Sequence, residues 1–160
     1  MANIFKAAEV LDMGISKDIK RRDFYKYAAE KFAEKDMKDL FSRLRDWEDE
    51  HIRKFTEIRN SIQDSEVQET YAGEFEKFVK AAVDDILYEQ VSAEWFTGNV
   101  KTPIAAIQYG MTFEKDAILF FAELLKNTEP PYAEKIEVLI NEEKKHLIYL
   151  AELKCKYQRA

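Results

Sequence analysis

The sequence predicts an all-α protein built mainly from four long helices. Its 160 residues include only 4 Gly and 3 Pro, far fewer than a protein of strands and turns uses. Apolar residues make up 46% of the chain and recur every three or four positions over most of its length, which is the helical period. The 11 Phe, 8 Tyr and 2 Trp exclude intrinsic disorder. A chain of this length is expected to form a single domain over residues 1–160.

The helix boundaries can be placed from residues that start or end a helix. Asp36 is a candidate capping residue, Ser65 followed by Gln68 resembles a capping box, and Thr102–Pro103 combines a capping hydroxyl with Pro at the first helical position. The predicted helices span about 3–34, 36–60, 66–96, 103–127 and 131 to near the C-terminus.

The lengths of the links predict how these helices are arranged. The links near residue 35 and near 128–131 are short, so the helices that they join are expected to pack antiparallel. The connection from about 61 to 102 is long and itself helical. We therefore expect a four-helix bundle of two antiparallel hairpins joined by a long helical crossover.

Charge and cysteine content exclude several classes of protein. The net charge of −6 argues against nucleic-acid binding, which uses a basic face. A single cysteine excludes an internal disulfide framework and a cysteine-based zinc or iron–sulfur site. No apolar run is long enough to cross a membrane and no signal-peptide pattern is present, so a cytoplasmic location is expected.

The chain contains an internal repeat, in which the second hairpin is a diverged copy of the first. A shift of 96 residues aligns Gly14 with Gly110 and Asp18 with Glu114. A shift of 95 aligns several residues of the second predicted helix with residues of the last: Phe41 with Ile136, Leu44 with Leu139, Glu48 with Glu143, and His51 with His146.

Both histidines of the chain lie in the same motif. Each follows a glutamate by three residues, in Glu48-Asp-Glu-His51 and Glu143-Lys-Lys-His146. Residues three apart share one face of a helix, so each pair can direct a carboxylate and an imidazole at one point. Together with acids on the partner helices, this pattern is typical of a binuclear metal site in a helix bundle. Oxygen-rich ligands with one nitrogen per ion suit Fe or Mn better than Zn.

At these residues the sequence resembles the rubrerythrin-type branch of the ferritin-like family, and within it the small erythrins that lack a rubredoxin domain. The resemblance covers about residues 3–60 and 103–153, and the segments 18–25 and 114–121 match the pattern of the family's first and third helices. It implies a ferritin-like bundle that holds two Fe ions, with Mn or Zn as alternatives. The metal ligands implied are Asp18, Glu48, His51, Glu114, Glu143 and His146. Tyr25 matches a tyrosine that the family keeps beside the metals, which implies a catalytic role; a plain core aromatic is the alternative.

The first predicted helix departs from the family pattern at two positions. Asp18 stands where the family usually has Glu, and Arg21 stands where it usually has a small residue. A guanidinium one turn from the ligand can pair with site carboxylates and repel a cation. Two interpretations of Asp18 therefore stay open: it is a metal ligand, or it forms an ion pair with Arg21 or Arg22.

The resemblance implies a di-iron oxidoreductase that reduces hydrogen peroxide. Because no CxxC pair is present, its electrons are expected from a separate rubredoxin-like protein, and a homodimer is the expected assembly. Glu50 and Asp46 are candidates for orienting the imidazoles. One alternative is iron oxidation and storage of the bacterioferritin kind, which uses the same ligands. Another is a metal-free helical interaction scaffold.

Overall fold

The protein was analysed as a computed structural model that describes residues 7–61, 86–126 and 132–159, together with residues 77, 81, 128 and 130. The helices of this part are α1 (Ala7–Lys31), α2 (Lys35–Ser61), α3 (Ile86–Gln90), α4 (Ala93–Asn99), α5 (Pro103–Lys126) and α6 (Tyr132–Gln158). No strand occurs among the described residues, so the predicted all-α class is confirmed.

The four long helices pack as two antiparallel hairpins, α1 with α2 and α5 with α6, as predicted. The hairpins meet along α1 and α5 and along α2 and α6. Contacts at both ends of the bundle show that α2 and α6 run antiparallel to each other. Asp36 at the start of α2 accepts a hydrogen bond from Tyr157 near the end of α6, at 2.7 Å. At the opposite end, the Tyr132 hydroxyl donates to the Ser61 carbonyl oxygen at 3.2 Å.

The internal repeat is visible in the packing of α1 against α5. A Cβ atom added at Gly14 of α1 would lie 2.9 Å from the Phe121 ring of α5. The equivalent atom at Gly110 of α5 would lie 3.3 Å from the Tyr25 ring of α1. The two helices thus approach closely at two equivalent points, where each repeat glycine faces an aromatic ring of the other copy.

Two apolar clusters fill the bundle, one on each side of a buried polar layer. One cluster is centred on Phe24, Phe41 and Phe113. The other contains Phe55 and Phe121, whose rings stack 4.2 Å apart. On all four long helices the buried polar residues lie between the residues of the two clusters. The members of this polar layer are Lys17, Asp18, Arg21, Glu48, His51, Glu114, Glu143 and His146.

Some predicted boundaries change. The expectation of one unbroken crossover helix up to residue 96 is wrong, because the chain leaves the helical conformation at Val91 and Ser92. Ser92 then caps α4 by accepting a hydrogen bond from the Trp95 amide at 3.1 Å. The predicted start of α5 is confirmed, with Thr102 Oγ1 accepting from the Ala105 amide at 3.2 Å. The proposed capping box at Ser65 lies outside the described residues.

Asp36 does not cap α2 from outside, since it lies within the first turn of that helix. None of the described helices combines the length and the apolar character that crossing a membrane requires.

Candidate metal centre

The structure brings all six predicted ligands together in the polar layer. Helix α1 contributes Asp18, α5 contributes Glu114, and the two Glu-x-x-His motifs come from α2 and α6. All six side chains are buried. The six side chains form two groups. The Arg21 side chain of α1 lies beside Asp18 and separates that end of the layer from the rest.

One group has the features of a metal site. Glu48, Glu114, Glu143 and His146 each offer a ligand atom, and these atoms lie within 4.8 Å of one another. The three carboxylates surround His146 Nδ1, at 3.4 Å for Glu143 Oε2, 3.6 Å for Glu114 Oε1 and 3.8 Å for Glu48 Oε1. We call these four residues the α6 half of the site.

Several atoms of the α6 half lack a hydrogen-bond partner among the described residues. They are Glu48 Oε1, Glu114 Oε2, Glu143 Oε2 and His146 Nδ1. Leaving buried polar atoms without a partner is costly, and a buried carboxylate needs a counter-charge. A divalent cation among them would supply both. Carboxylate oxygens with one imidazole nitrogen suit Fe or Mn, so these residues fit one such ion.

Tyr25 supports this half from α1. Its hydroxyl donates a hydrogen bond to Glu114 Oε1 at 2.6 Å. Burial, reinforced by the nearby Glu114 and Glu48 carboxylates, raises the pKa of Tyr25 well above its ordinary value, so the hydroxyl keeps its proton. The residue for which the sequence predicted a catalytic role therefore holds a candidate ligand in place.

The other group is an ion-pair network around Arg21. The Arg21 Nη2 atom contacts Asp18 Oδ1, and it lies 3.0 Å from Glu48 Oε2 and 3.6 Å from Glu143 Oε1. Arg22 instead pairs with Asp23 and Asp49 near the surface. Of the two arginines considered for Asp18, the structure places Arg21 against it. We call Asp18, Arg21 and His51 the α1 half of the site.

Burial and charge together set the protonation of this half. Burial raises the pKa of Asp18 to about 8, and the Arg21 guanidinium opposes that rise. Burial works against the charged guanidinium, but the Glu48, Asp18 and Glu143 carboxylates outweigh it and raise the pKa of Arg21 well above its usual range. Arg21 is therefore a permanent positive charge inside the bundle.

His51 is engaged through both ring nitrogens. Nδ1 contacts Glu143 Oε1, and Nε2 lies 2.6 Å from Glu142 Oε2. Burial opposes protonation, but Glu143 outweighs it and raises the pKa of His51 to about 9. The carboxylates of Glu114, Glu143 and Glu48 likewise overcome burial and raise the pKa of His146 to about 12. Without a metal, both imidazoles are therefore positively charged at neutral pH and partly balance the carboxylates; a metal ion bound at His146 Nδ1 would take the place of that proton.

The orienting groups proposed from the sequence need correction. Asp46 bonds to Arg45 and Glu50 to Arg53, both on the surface, whereas Glu142 is the carboxylate outside the predicted ligands that contacts an imidazole. Its sequence position gave no signal, because it is one of several glutamates on α6.

Tyr88 of the crossover was also missed. Its hydroxyl lies 3.4 Å from Arg21 Nη1 and donates to the Phe113 carbonyl oxygen at 3.2 Å. The short helix α3 thus closes the layer over the guanidinium. The repeat could not reveal this contact, since the crossover lies outside both copies.

A surface cavity of about 360 Å³ lies over the two histidines. Trp47 forms part of its wall and stacks on His146, with the ring centroids 4.9 Å apart and the planes 7° from parallel. Lys54 and Lys145 also line it. The cavity is a route by which a small molecule or an ion can approach the polar layer.

Comparisons with known proteins agree with this architecture. The family model of rubrerythrin matches residues 9–154. The chain is also similar to a crystal structure from Thermotoga maritima described as a "putative ferritin-like diiron-carboxylate protein", at 19% identity and a TM-score of 0.71. That match covers 98% of this chain and 99% of the other, and at this identity it shows the fold alone. No curated protein matches the chain.

Proposed function

Since the chain belongs to the rubrerythrin family, we propose that it is a metal-dependent oxidoreductase that reduces hydrogen peroxide. The α6 half binds a divalent Fe or Mn ion through Glu48, Glu114, Glu143 and His146. The observation that supports this most is the convergence of four buried ligand atoms within 4.8 Å, with buried atoms on all four residues left unpaired. No such arrangement is expected in a core that has only a packing role.

Reduction of one hydrogen peroxide to two waters consumes two electrons and two protons. A redox-active metal held by the α6 half would pass both electrons from an external donor to the O–O bond. We assign the electrons to a separate rubredoxin-like protein and propose that the chain works as a homodimer.

The chain's own residues prepare the site for this reaction. Tyr25 orients the Glu114 carboxylate through its 2.6 Å hydrogen bond. Trp47 stacks on one face of the His146 ring and forms part of the cavity wall beside it. The hydrogen-bonded pair of His51 and Glu142 lines the same cavity, where it can carry protons to an incoming peroxide.

A metal-free interaction scaffold is the second candidate, and one observation favours it. Arg21 already provides a counter-charge to Asp18, Glu48 and Glu143, so part of the acidic layer is neutralised without metal. Such a scaffold leaves the unpaired atoms of the α6 half unexplained. We therefore place it second.

Metal analysis tests the proposal. The protein is loaded anaerobically with Fe(II) or Mn(II), freed of excess, and analysed by plasma mass spectrometry. The wild type is expected to retain metal, whereas Glu114→Ala is expected to lose it. Glu142→Gln is the matched control, since this carboxylate lies beside the site but outside the four ligands, and it is expected to retain metal.

Peroxide consumption is then followed with a chemical reductant, in loaded and metal-free wild-type protein. Activity that requires the metal supports the proposal. Absence of metal in the wild type would favour the scaffold, and a loaded protein inert to peroxide would contradict the peroxidase assignment. A cage of many subunits in light scattering would favour iron storage instead.

A further inference from the structure

We propose that Arg21 occupies the position of a second metal ion, so that the site takes one ion per chain and uses a guanidinium as the other cation. This inference rests on the proposed function, because it requires that the α6 half binds metal. It concerns how many ions the layer holds and what sets that number.

The two carboxylates that both halves share carry the argument. Glu48 places Oε2 3.0 Å from Arg21 Nη2, while its Oε1 faces His146 Nδ1 at 3.8 Å. Glu143 places Oε1 3.6 Å from the same Arg21 atom and Oε2 3.4 Å from His146 Nδ1. Each carboxylate thus has one oxygen in each half, as a group bridging two cations does. One of those cations is present as Arg21.

In the α1 half, one oxygen of Asp18 and both ring nitrogens of His51 are already engaged, while Asp18 Oδ2 and Arg21 Nε have no hydrogen-bond partner among the described residues. Asp18 Oδ1 contacts Arg21 Nη2, and His51 Nδ1 contacts Glu143 Oε1. In the α6 half, by contrast, His146 Nδ1 has no hydrogen-bond partner among the described residues. His51 therefore has hydrogen-bond partners without a metal, whereas His146 Nδ1 has none among the described residues.

Arg21 is also held firmly in place. Its side chain is fully buried, and Nη1 lies 3.4 Å from the Tyr88 hydroxyl, which is itself anchored on the Phe113 carbonyl. A guanidinium keeps its charge at any accessible pH, so it repels a divalent ion brought beside it. At the equivalent position of the repeat stands Ala117, which leaves the α6 half free of a competing cation.

The test is the number of metal ions per chain in variants of this position. Mn(II) is added anaerobically to the full-length chain, and bound metal is counted by native mass spectrometry. The wild type is expected to bind about one ion, and Arg21→Ala, which copies Ala117, about two, because the shared carboxylates then need a second cation. Arg21→Lys keeps the charge and is expected to stay near one. Arg22→Ala removes a neighbouring surface charge and serves as the matched control, also near one.

Electron paramagnetic resonance gives a second readout that needs no variant. An isolated Mn(II) ion in the wild type gives the hyperfine pattern of a single ion, whereas two ions sharing Glu48 and Glu143 would give a coupled spectrum. Circular dichroism of each variant, with and without Mn(II), shows whether it is folded. If Arg21→Ala does not fold, the number of Mn(II) ions bound by the wild type and its resonance spectrum still show whether the site holds one ion or two.

The outcomes separate the inference from the proposed function. Two coupled ions in the wild type would overturn the role of Arg21 and leave the metal-dependent function standing. A folded Arg21→Ala variant that still binds one ion would also overturn it. No ion in the wild type would overturn the proposed function, and the inference with it.

Discussion

The two halves of the polar layer are built from equivalent positions of one repeat, yet they differ in charge. In the α6 half, Glu114 is followed three residues later by Ala117. In the α1 half, Asp18 is followed at the same spacing by Arg21, whose guanidinium contacts three carboxylates. At equivalent positions of the repeat, one half thus holds an ion-pair network and the other a cluster of candidate ligands.

A second difference lies one turn further along. Tyr25 and Phe121 are equivalent in the repeat, but only Tyr25 has a hydroxyl, and it donates to Glu114 of the other hairpin. Phe121 cannot do the same for Asp18, and it stacks on Phe55 instead. Glu114 is therefore paired with a hydroxyl of the partner helix, whereas Asp18 is paired with a guanidinium of its own helix.

The largest expected contrast is between the two histidines. His146→Ala removes the imidazole of the α6 half and is expected to weaken Mn(II) binding more than about 100-fold, since even partners outside the ligand shell are worth about 10–100-fold. His51→Ala is expected to weaken it by about 10–100-fold, because His51 contacts the ligand Glu143 without being one of the four ligands itself. Calorimetric titration with Mn(II) measures both. Equal losses would contradict the division into halves.

The next contrast concerns stability without metal. Arg21→Ala leaves the Asp18, Glu48 and Glu143 carboxylates buried without their shared cation, and is expected to lower the free energy of unfolding by about 3–5 kcal/mol. Glu114→Gln keeps an acceptor for the Tyr25 hydroxyl and removes an acid, so a change below about 1 kcal/mol is expected. Urea unfolding of metal-free protein measures both. If Arg21→Ala were harmless, the guanidinium would not be balancing these carboxylates.

A smaller contrast separates the two tyrosines. Tyr25→Phe removes the 2.6 Å hydrogen bond to the buried Glu114 carboxyl and is expected to cost about 1–3 kcal/mol of stability. Tyr88→Phe removes a 3.4 Å contact to Arg21 and a bond to a helix carbonyl, and is expected to cost about 0.5–1 kcal/mol. Thermal melts of metal-free protein check the order. A larger loss of stability in Tyr88→Phe than in Tyr25→Phe would show that the hydrogen bonds beside Arg21 contribute more than the bond to Glu114, and would contradict this prediction.

The smallest expected effect on stability lies at the two ends of the bundle, where Asp36 and Tyr132 make different kinds of contact. Asp36 pairs with Lys156 and accepts from the Tyr157 hydroxyl, and these contacts hold its pKa below the usual value. A carboxyl with a lowered pKa stabilises the fold above its unfolded pKa and loses that contribution as the pH falls through its folded pKa. Asp36→Asn is therefore expected to cost less than about 1 kcal/mol at pH 7 and almost nothing near pH 2.

Urea unfolding of this variant and of the wild type at the two pH values measures the difference. At the opposite end, Tyr132→Phe removes a bond between neutral groups, Tyr132 and the Ser61 carbonyl, and its effect is expected to be the same at both pH values. A pH-independent cost for Asp36→Asn would show that its ion pair does not contribute.

The sequence predicted most of the fold because its signals are local or repeated. Helical periodicity, the Thr102–Pro103 start and the two short links are readable along the chain, and the repeat aligned both Glu-x-x-His motifs. The break at Val91 and Ser92 was missed, because Ser92 interrupts an amphipathic stretch without a Gly or Pro to mark it.

The candidate site was only partly predictable. Six buried positions could be named because histidine and acid recur at equivalent places. The spacing of Asp18 and Arg21 also raised an ion pair as one alternative. Whether Arg21 reaches Glu48 and Glu143 of other helices, however, depends on tertiary packing. Glu142 and Tyr88 carry no distinguishing pattern, since their roles arise only when α6 and the crossover close on the layer.

The central claim, that the two halves hold different cations, is tested most directly by locating the metal. Crystals of the wild-type protein grown with Mn(II) would give an anomalous difference map that marks each bound ion. The account predicts one peak, among Glu48, Glu114, Glu143 and His146, with Arg21 still against Asp18. A peak between Asp18 and His51, with Arg21 displaced, would contradict it.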